Sequence, residues 1–215
     1  MMRKGIDFFD RVTPKILLLL WSLLALSATS SASAETTKAV PSFTIDKTSS
    51  EIRFVVKSRL KPIEGTFETW TAEVRLAEPI KIDSLNLMVT AEATSVKTGN
   101  FLEESLIRGD NFFAAEKYPE IRLLSKKIEA AADGTYKMEG ELTLRGTSHP
   151  VLVPFSLTFD KAGSGKLKGE CEFNRKDFGI TYNMALNPIE DLVKVIVTLT
   201  IVPGKAESTP NPAKN

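Results

Sequence analysis

Alternation of apolar and polar residues constrains the fold of this chain more than any other feature. From residue 136 to residue 144, every second residue is apolar or small, and the residues between them are charged or polar. Side chains of an extended strand point alternately to its two faces, so this strand has one dry face and one wet face. The pattern recurs in five further segments: Ile52 to Val56, Leu85 to Ala91, Val151 to Phe159, Leu167 to Phe173 and Val193 to Ile201.

Strands that each have one apolar face must bury those faces together. A sheet of this kind either curls around its apolar face or stacks on a second sheet, and a closed barrel leaves no strand edge exposed. The pattern therefore predicts an all-β, antiparallel barrel. The interior of an eight-stranded barrel is either filled by side chains or holds one small ligand. Small residues at inward positions favour a cavity: Ala91, Gly140, Gly169 and Cys171.

The first 34 residues have the organisation of a secretory signal peptide. Basic residues precede an apolar run, Ile16 to Leu26, which is shorter than the roughly 20 residues that span a bilayer. Ala32-Ser33-Ala34 is a small-residue cleavage site, and we predict cleavage after Ala34. An uncleaved anchor is the alternative. The predicted organisation is a signal peptide over 1–34, a flexible lead-in over 35–41, one domain over 42–202 and a disordered tail over 203–215.

Charge and residue content argue against nucleic-acid binding and catalysis. Removing residues 1–34 changes 28 basic and 27 acidic residues to 24 and 25, and a nearly neutral surface gives no electrostatic reason to bind nucleic acid or an anionic membrane. The single histidine, His149, precedes Pro150 and is predicted in a solvent-facing turn. The single cysteine, Cys171, has the parity of a buried position. With one of each, we expect no enzyme activity, metal site or cofactor.

One segment between the strands does not alternate. Residues 101–108 lack Gly and Pro, and their apolar residues fit a short helix better than a strand. Asn100 is the predicted N-cap, with Glu103 as its capping-box partner. Such a helix either acts as a lid on one barrel mouth or merely covers the end of the sheet.

A second irregular segment contains both charge signs. Arg175 and Asp177 share one face of an extended segment, and Gly179 permits a bulge after them. We predict that the two charged side chains pair and close a corner of the barrel. Contact with the head group of a ligand is the alternative role for this pair.

Several sequence blocks, taken together and in order, resemble a known family. They are Phe43-Thr44-Ile45-Asp46, Gly65-Thr66-Phe67, Thr98-Gly99-Asn100, Lys117-Tyr118-Pro119-Glu120-Ile121, Gly140 to Thr147 and Phe173 to Ile180. Through them, residues 42–202 are similar to the YceI-like polyisoprenoid-binding proteins. The resemblance implies an antiparallel eight-stranded lipocalin-like barrel with a short helix between strands near one mouth. It also implies export to the periplasm, a long amphiphile in the cavity and no catalysis.

The chain departs from the family pattern at three polar positions. Ser49 and Ser58 stand where the family often has histidine, and Leu106 lies where a helix block of the family has another. The resemblance therefore supplies no head-group contacts for this chain.

We accordingly expect an exported, non-catalytic carrier of a polyisoprenoid quinone, a polyprenyl phosphate or a fatty amphiphile. The residues expected to bind the ligand are Phe54, Val56, Phe67, Leu87, Val89, Leu106, Phe112, Phe113, Met138, Leu142, Phe155 and Phe173. One alternative is a solidly packed barrel that serves as an interaction module for a membrane-protein partner. A hydrolase or isomerase acting on the lipid is disfavoured, because no His or Cys dyad is available.

Overall fold

The computed structural model describes residues 42–77, 81–183 and 185–204. The predicted signal peptide, its cleavage site and the lead-in lie outside these residues. The strands are β1 (Ser42–Ile45), β2 (Glu51–Ser58), β3 (Ile63–Phe67), β4 (Trp70–Ala77), β5 (Lys81–Glu92), β6 (Val96–Lys97), β7 (Glu120–Ala130), β8 (Tyr136–Leu144), β9 (Thr147–Phe159), β10 (Gly165–Asn174) and β11 (Ile189–Pro203). One α-helix among the described residues, α1 (Phe101–Arg108), interrupts them. Pro203, predicted to begin the tail, instead ends β11 and pairs with Phe43.

Eight of these strands form a closed antiparallel ring. Each strand pairs with the next in the order β1-β4-β5-β7-β8-β9-β10-β11, and β11 pairs with β1 to close the ring. Because β11 is 15 residues long, it also pairs with β2 along most of its length. β3 then pairs with β2, and β6 with β3. The predicted all-β, eight-stranded, lipocalin-like barrel is confirmed.

The strand registers place the connecting loops at two opposite ends of the barrel. We call one end the mouth: it carries the β2–β3 turn (59–62), the segment 98–119 with α1, the β8–β9 turn (145–146) and the loop before β11. The opposite end, the base, carries the turns 131–135 and 160–164, together with the start of β1 and the end of β11.

The base half of the interior is a packed core. Leu76, Leu199 and Ile201 have no measurable exposure. Gly169 is small because its neighbours approach closely: a Cβ there would lie 3.2 Å from the Val153 side chain. Gly140 is similar, since its Cβ would lie 3.2 Å from Leu123. These two glycines, expected to leave space, therefore do not.

The predicted helix over residues 101–108 is confirmed, and so is its N-cap. The Asn100 side chain accepts hydrogen bonds from the N–H groups of Leu102 and Glu103. The predicted capping box is wrong, because the Asn100 N–H donates to the Thr98 hydroxyl instead of to Glu103.

The predicted turn position of His149 is also wrong. The hairpin turn consists of Arg145 and Gly146, whose φ angles of 52° and 70° suit a tight two-residue connection. His149 therefore lies inside β9, half-buried. Its ring packs edge-on against Phe178 at 5.0 Å, and its Nε2 lies 2.9 Å from the Asp177 carbonyl oxygen.

Candidate functional site

An apolar cavity occupies the mouth half of the barrel. The space between its wall atoms totals about 1080 Å³, a figure that includes the part open to solvent. On β5, β8, β9, β10 and β11, the inward residues nearest the mouth line this cavity, and those nearest the base do not. Since the base half is filled, the cavity adjoins the mouth end of the barrel.

Eight of the residues expected to bind the ligand lie in the cavity wall: Phe54, Val56, Phe67, Val89, Phe112, Phe113, Leu142 and Phe173. Leu87, Met138 and Phe155 point inward but belong to the packed base half. Phe155, for example, stacks on Tyr136 with ring centroids 5.4 Å apart. Leu106 does not line the cavity, whereas its neighbour Ile107 does. Successive helical residues diverge by about 100°, so the two cannot both face inward.

Other wall residues are not among those expected to bind the ligand, although Ala91 and Cys171 were expected at inward positions beside a cavity. They are Ile52, Ile63, Ala91, Ile107, Ile121, Leu123, Leu144, Val151, Cys171, Arg175, Ile180, Ile189, Val193, Val195 and Val197. Most have the predicted inward parity. Parity assigns a residue to a face of the sheet but carries no signal for its depth in the barrel.

The predicted burial of Cys171 is confirmed. The thiol lies in β10 within the apolar wall. Burial raises the pKa of Cys171 to about 11, because the apolar surroundings disfavour the thiolate. The side chain therefore acts as a small wall residue, not as a nucleophile.

A lid segment, residues 100–115, covers the mouth end of the cavity with aromatic contacts. The ring of Phe113 lies 6.3 Å from that of Phe54 and 6.1 Å from that of Phe67. Phe112 meets Tyr182 edge-on at 5.7 Å. The lid segment is thus packed onto the apolar wall that it covers.

Two charged side chains fasten the lid segment. Arg145 donates hydrogen bonds to the carbonyl oxygens of Asp110, at 2.8 Å, and of Phe112. The buried Glu104 carboxylate accepts from the Thr98 N–H at 3.1 Å and lies 3.8 Å from Arg108. This backbone hydrogen bond is the main cause that lowers the pKa of Glu104, and nearby cations contribute less.

Arg175 is the one charged residue among the described residues of the wall. Its guanidinium donates to the carbonyl oxygens of Ile180 at 2.7 Å and Tyr182 at 2.8 Å, and pairs with Asp191 at 2.9 Å. The predicted pairing with Asp177 is therefore wrong. Residues Arg175–Phe178 form a 3₁₀ turn rather than an extended segment, so the shared parity is lost. Arg175 holds the loop before β11 in place.

The site offers an apolar wall for burial. Within the described ranges, no group of three or more His, Cys, Asp or Glu side chains is placed to hold a metal ion. The described helix is also too short to cross a membrane. A closed antiparallel ring around an apolar cavity, with a short helical lid segment, defines a lipocalin-like barrel.

Residues 43–201 match the YceI-like domain, and the chain belongs to this family. A UPF0312 protein of Pseudomonas syringae pv. tomato is 27% identical over 127 residues, which are 55% of this chain and 64% of the relative. The match thus spans less than two thirds of that relative's length. The UPF0312 protein SERP2314 of Staphylococcus epidermidis is 25% identical over 154 residues, 67% of this chain and 85% of the relative.

Solved structures share the fold. Burkholderia cenocepacia BcnA superposes with a TM-score of 0.67 at 23% identity, covering 73% of this chain and 98% of BcnA. A Campylobacter jejuni YCEI protein gives a TM-score of 0.56 at 24% identity, covering 68% and 88% of the two chains. A polyisoprenoid-binding domain from Saccharophagus degradans gives 0.60 at 15% identity, covering 76% and 99%.

Proposed function

We propose that this protein is a non-catalytic carrier that holds the apolar part of a polyisoprenoid, or of a similar long-chain amphiphile, in its cavity. The observation that carries this proposal is the wall itself: its side chains are apolar except for Arg175, which is occupied by hydrogen bonds within the protein. The similar fold of a polyisoprenoid-binding domain supports the same ligand class. Polyisoprenoid quinones, polyprenyl phosphates and fatty amphiphiles all fit this description.

Burial supplies the binding energy in this mechanism. Each CH₂ moved from water into the cavity contributes about 0.8 kcal/mol, less the cost of ordering the chain. A chain longer than the cavity must leave part of its length outside the barrel.

The ligand's head group is proposed to stay at the mouth. Ser49 donates to Asp46, and Ser58 donates to the Lys61 carbonyl oxygen, so both hydroxyls are used within their own loops. Neither serine lines the cavity. In this proposal the cavity binds the apolar chain of the ligand and makes no polar contact with it deep inside the barrel.

We further propose that the protein works in the periplasm after export and cleavage behind Ala34. The basic start, short apolar run and small-residue site of the sequence support this location. Exported protein is then expected to begin at Glu35. Contact with a membrane-protein partner stays a prediction.

A series of isoprenoid alcohols tests the carrier proposal. Affinity should rise with chain length from geraniol through farnesol to geranylgeraniol, because each isoprene unit that enters the cavity contributes up to roughly 3–4 kcal/mol of burial free energy, and it should level off once the cavity is full. Calorimetry or displacement of a fluorescent fatty probe measures this. Weak binding that does not depend on chain length would show that the cavity is not a chain-binding site.

A further inference from the structure

Large exposed apolar side chains are concentrated at the mouth. Seven are exposed among the described residues: Leu60, Phe101, Leu102, Leu152, Tyr182, Leu186 and Leu192. Five of the seven belong to the mouth loops, and we call these five the rim: Leu60, Phe101, Leu102, Tyr182 and Leu186. Leu186 and Leu102 are 84% and 75% exposed, so they are almost as accessible as in an unfolded chain. Scattered single apolar residues need no explanation, but a cluster at one end of a molecule marks an interaction surface.

The base shows the opposite character. Its two turns, residues 131–135 and 160–164, contain only Ala, Asp, Gly, Thr, Lys and Ser. None of the large exposed apolar side chains of the described chain lies there. The two ends of one barrel therefore differ in the surface that they present to their surroundings.

The rim residues are held in place by hydrogen bonds and packing. The N–H of Leu60 donates to the Asn187 side chain at 3.0 Å, and the N–H of Arg59 donates to the Pro188 carbonyl oxygen at 3.1 Å. These bonds join the turn bearing Leu60 to the loop bearing Leu186. Hydrogen bonds therefore hold the two loops that bear Leu60 and Leu186 in a fixed arrangement.

The chemistry of the rim fits a phospholipid surface. Exposed Arg59 and Lys61 flank Leu60, and long cationic side chains around an apolar tip reach phosphate groups while the tip enters the acyl region. Tyr182, which is 40% exposed, has the amphipathic ring that favours a membrane interface. The rim also surrounds the end of the barrel that the cavity adjoins.

We propose that the rim inserts shallowly into a phospholipid bilayer, so that an apolar chain passes between the bilayer and the cavity without crossing water. The transfer step rests on the proposed carrier function. The docking step does not, because it needs only the outer surface. Because the surface is nearly neutral, docking depends on apolar insertion more than on charge.

Vesicle flotation tests the docking step without any added ligand. The protein is purified in the form that the cell produces after any processing. It is mixed, in separate samples, with vesicles of phosphatidylethanolamine and phosphatidylglycerol and with vesicles of phosphatidylcholine alone. We expect binding to both. The double variant Leu60→Ser/Leu186→Ser should bind about tenfold or more weakly, since two leucines no longer enter the acyl region.

The matched control is Leu152→Ser, because Leu152 is also exposed but lies on the outer wall in β9. This variant should bind vesicles like the unchanged protein. Equal weakening by the control and the rim variant would overturn the proposal, as would a failure of the unchanged protein to bind vesicles. A rim variant that converts a dimer to a monomer on size exclusion would reassign the rim to contact between two copies, and so would also overturn it.

Binding of farnesol in vesicle-free buffer separates the two proposals. The rim variant should bind farnesol with unchanged affinity, because Leu60 and Leu186 do not line the cavity. Vesicle binding with no farnesol binding would refute the carrier function and leave docking intact. Farnesol binding with no vesicle binding would refute docking alone.

Discussion

Replacing Ala91 with phenylalanine should shorten the chain that the cavity accepts. Ala91 lies in β5 within the cavity wall. The added phenyl ring is about as large as one isoprene unit, so a ligand that fills the cavity loses up to roughly 3–4 kcal/mol of burial, or about 100-fold or more in affinity. A short ligand such as geraniol should lose little. In the alcohol series, the chain length at which affinity stops rising should therefore fall by about one isoprene unit.

The same substitution should leave the barrel stable, because the ring enters existing space. Gly169→Leu, in the packed base half, is the matched control. A Cβ at Gly169 would already lie 3.2 Å from Val153 and 3.3 Å from Phe155, and overpacking of this kind lowers stability by roughly 1–3 kcal/mol. Urea unfolding followed by tryptophan fluorescence measures both variants. If Ala91→Phe lowers stability as much as Gly169→Leu and does not change the chain length at which affinity stops rising, the mouth half holds no usable space.

Further expectations concern the lid segment and the wall thiol. Arg145→Ala removes the hydrogen bonds to the carbonyl oxygens of Asp110 and Phe112, each of which contributes about 1 kcal/mol. Ligand release, measured by stopped-flow displacement, should therefore become about tenfold or more faster. An unchanged rate would mean that the lid segment does not limit exchange. Because the pKa of Glu104 is lowered in the folded protein, its stabilising effect is complete above the usual carboxyl range and is lost as the pH falls through the lowered pKa. Ligand release should therefore accelerate as the pH falls below the usual carboxyl range, and Glu104→Gln, compared at each pH, should abolish that acceleration. Since the pKa of Cys171 is about 11, its alkylation by a neutral reagent should be slow at about pH 8, and the rate should rise with pH. Bound ligand should lower the rate further. Fast, pH-independent alkylation would contradict the burial of this thiol.

The strand pattern predicted the fold well, because burial of one face is a local property of each strand. Residues 101–108 were recognised as a helix for the same reason, since their pattern broke the alternation. Of the residues predicted to bind the ligand, eight line the cavity and four do not. Val89 and Leu87 have the same parity in β5, yet the first lines the cavity and the second lies in the packed half.

The apolar pattern of the sequence does not predict polar contacts between residues far apart in the chain. Arg175 pairs with Asp191, 16 residues away, and not with the nearby Asp177. The pairing depends on a 3₁₀ turn and on a loop that returns to β11, and neither changes the apolar pattern. The rim was missed because exposure of leucine and phenylalanine in loops depends on how the loops pack, which parity does not describe.

Photocrosslinking with a diazirine-bearing farnesol analogue tests the central claim most directly, because it reports where the chain lies. The labelled peptides, identified by mass spectrometry, should contain wall residues of the mouth half, such as Leu142, Cys171 and Val193. Excess geranylgeraniol should suppress this labelling. Labels confined to the outer wall around Leu152 or to the base turns, unaffected by the competitor, would contradict the account of an apolar chain held inside the barrel.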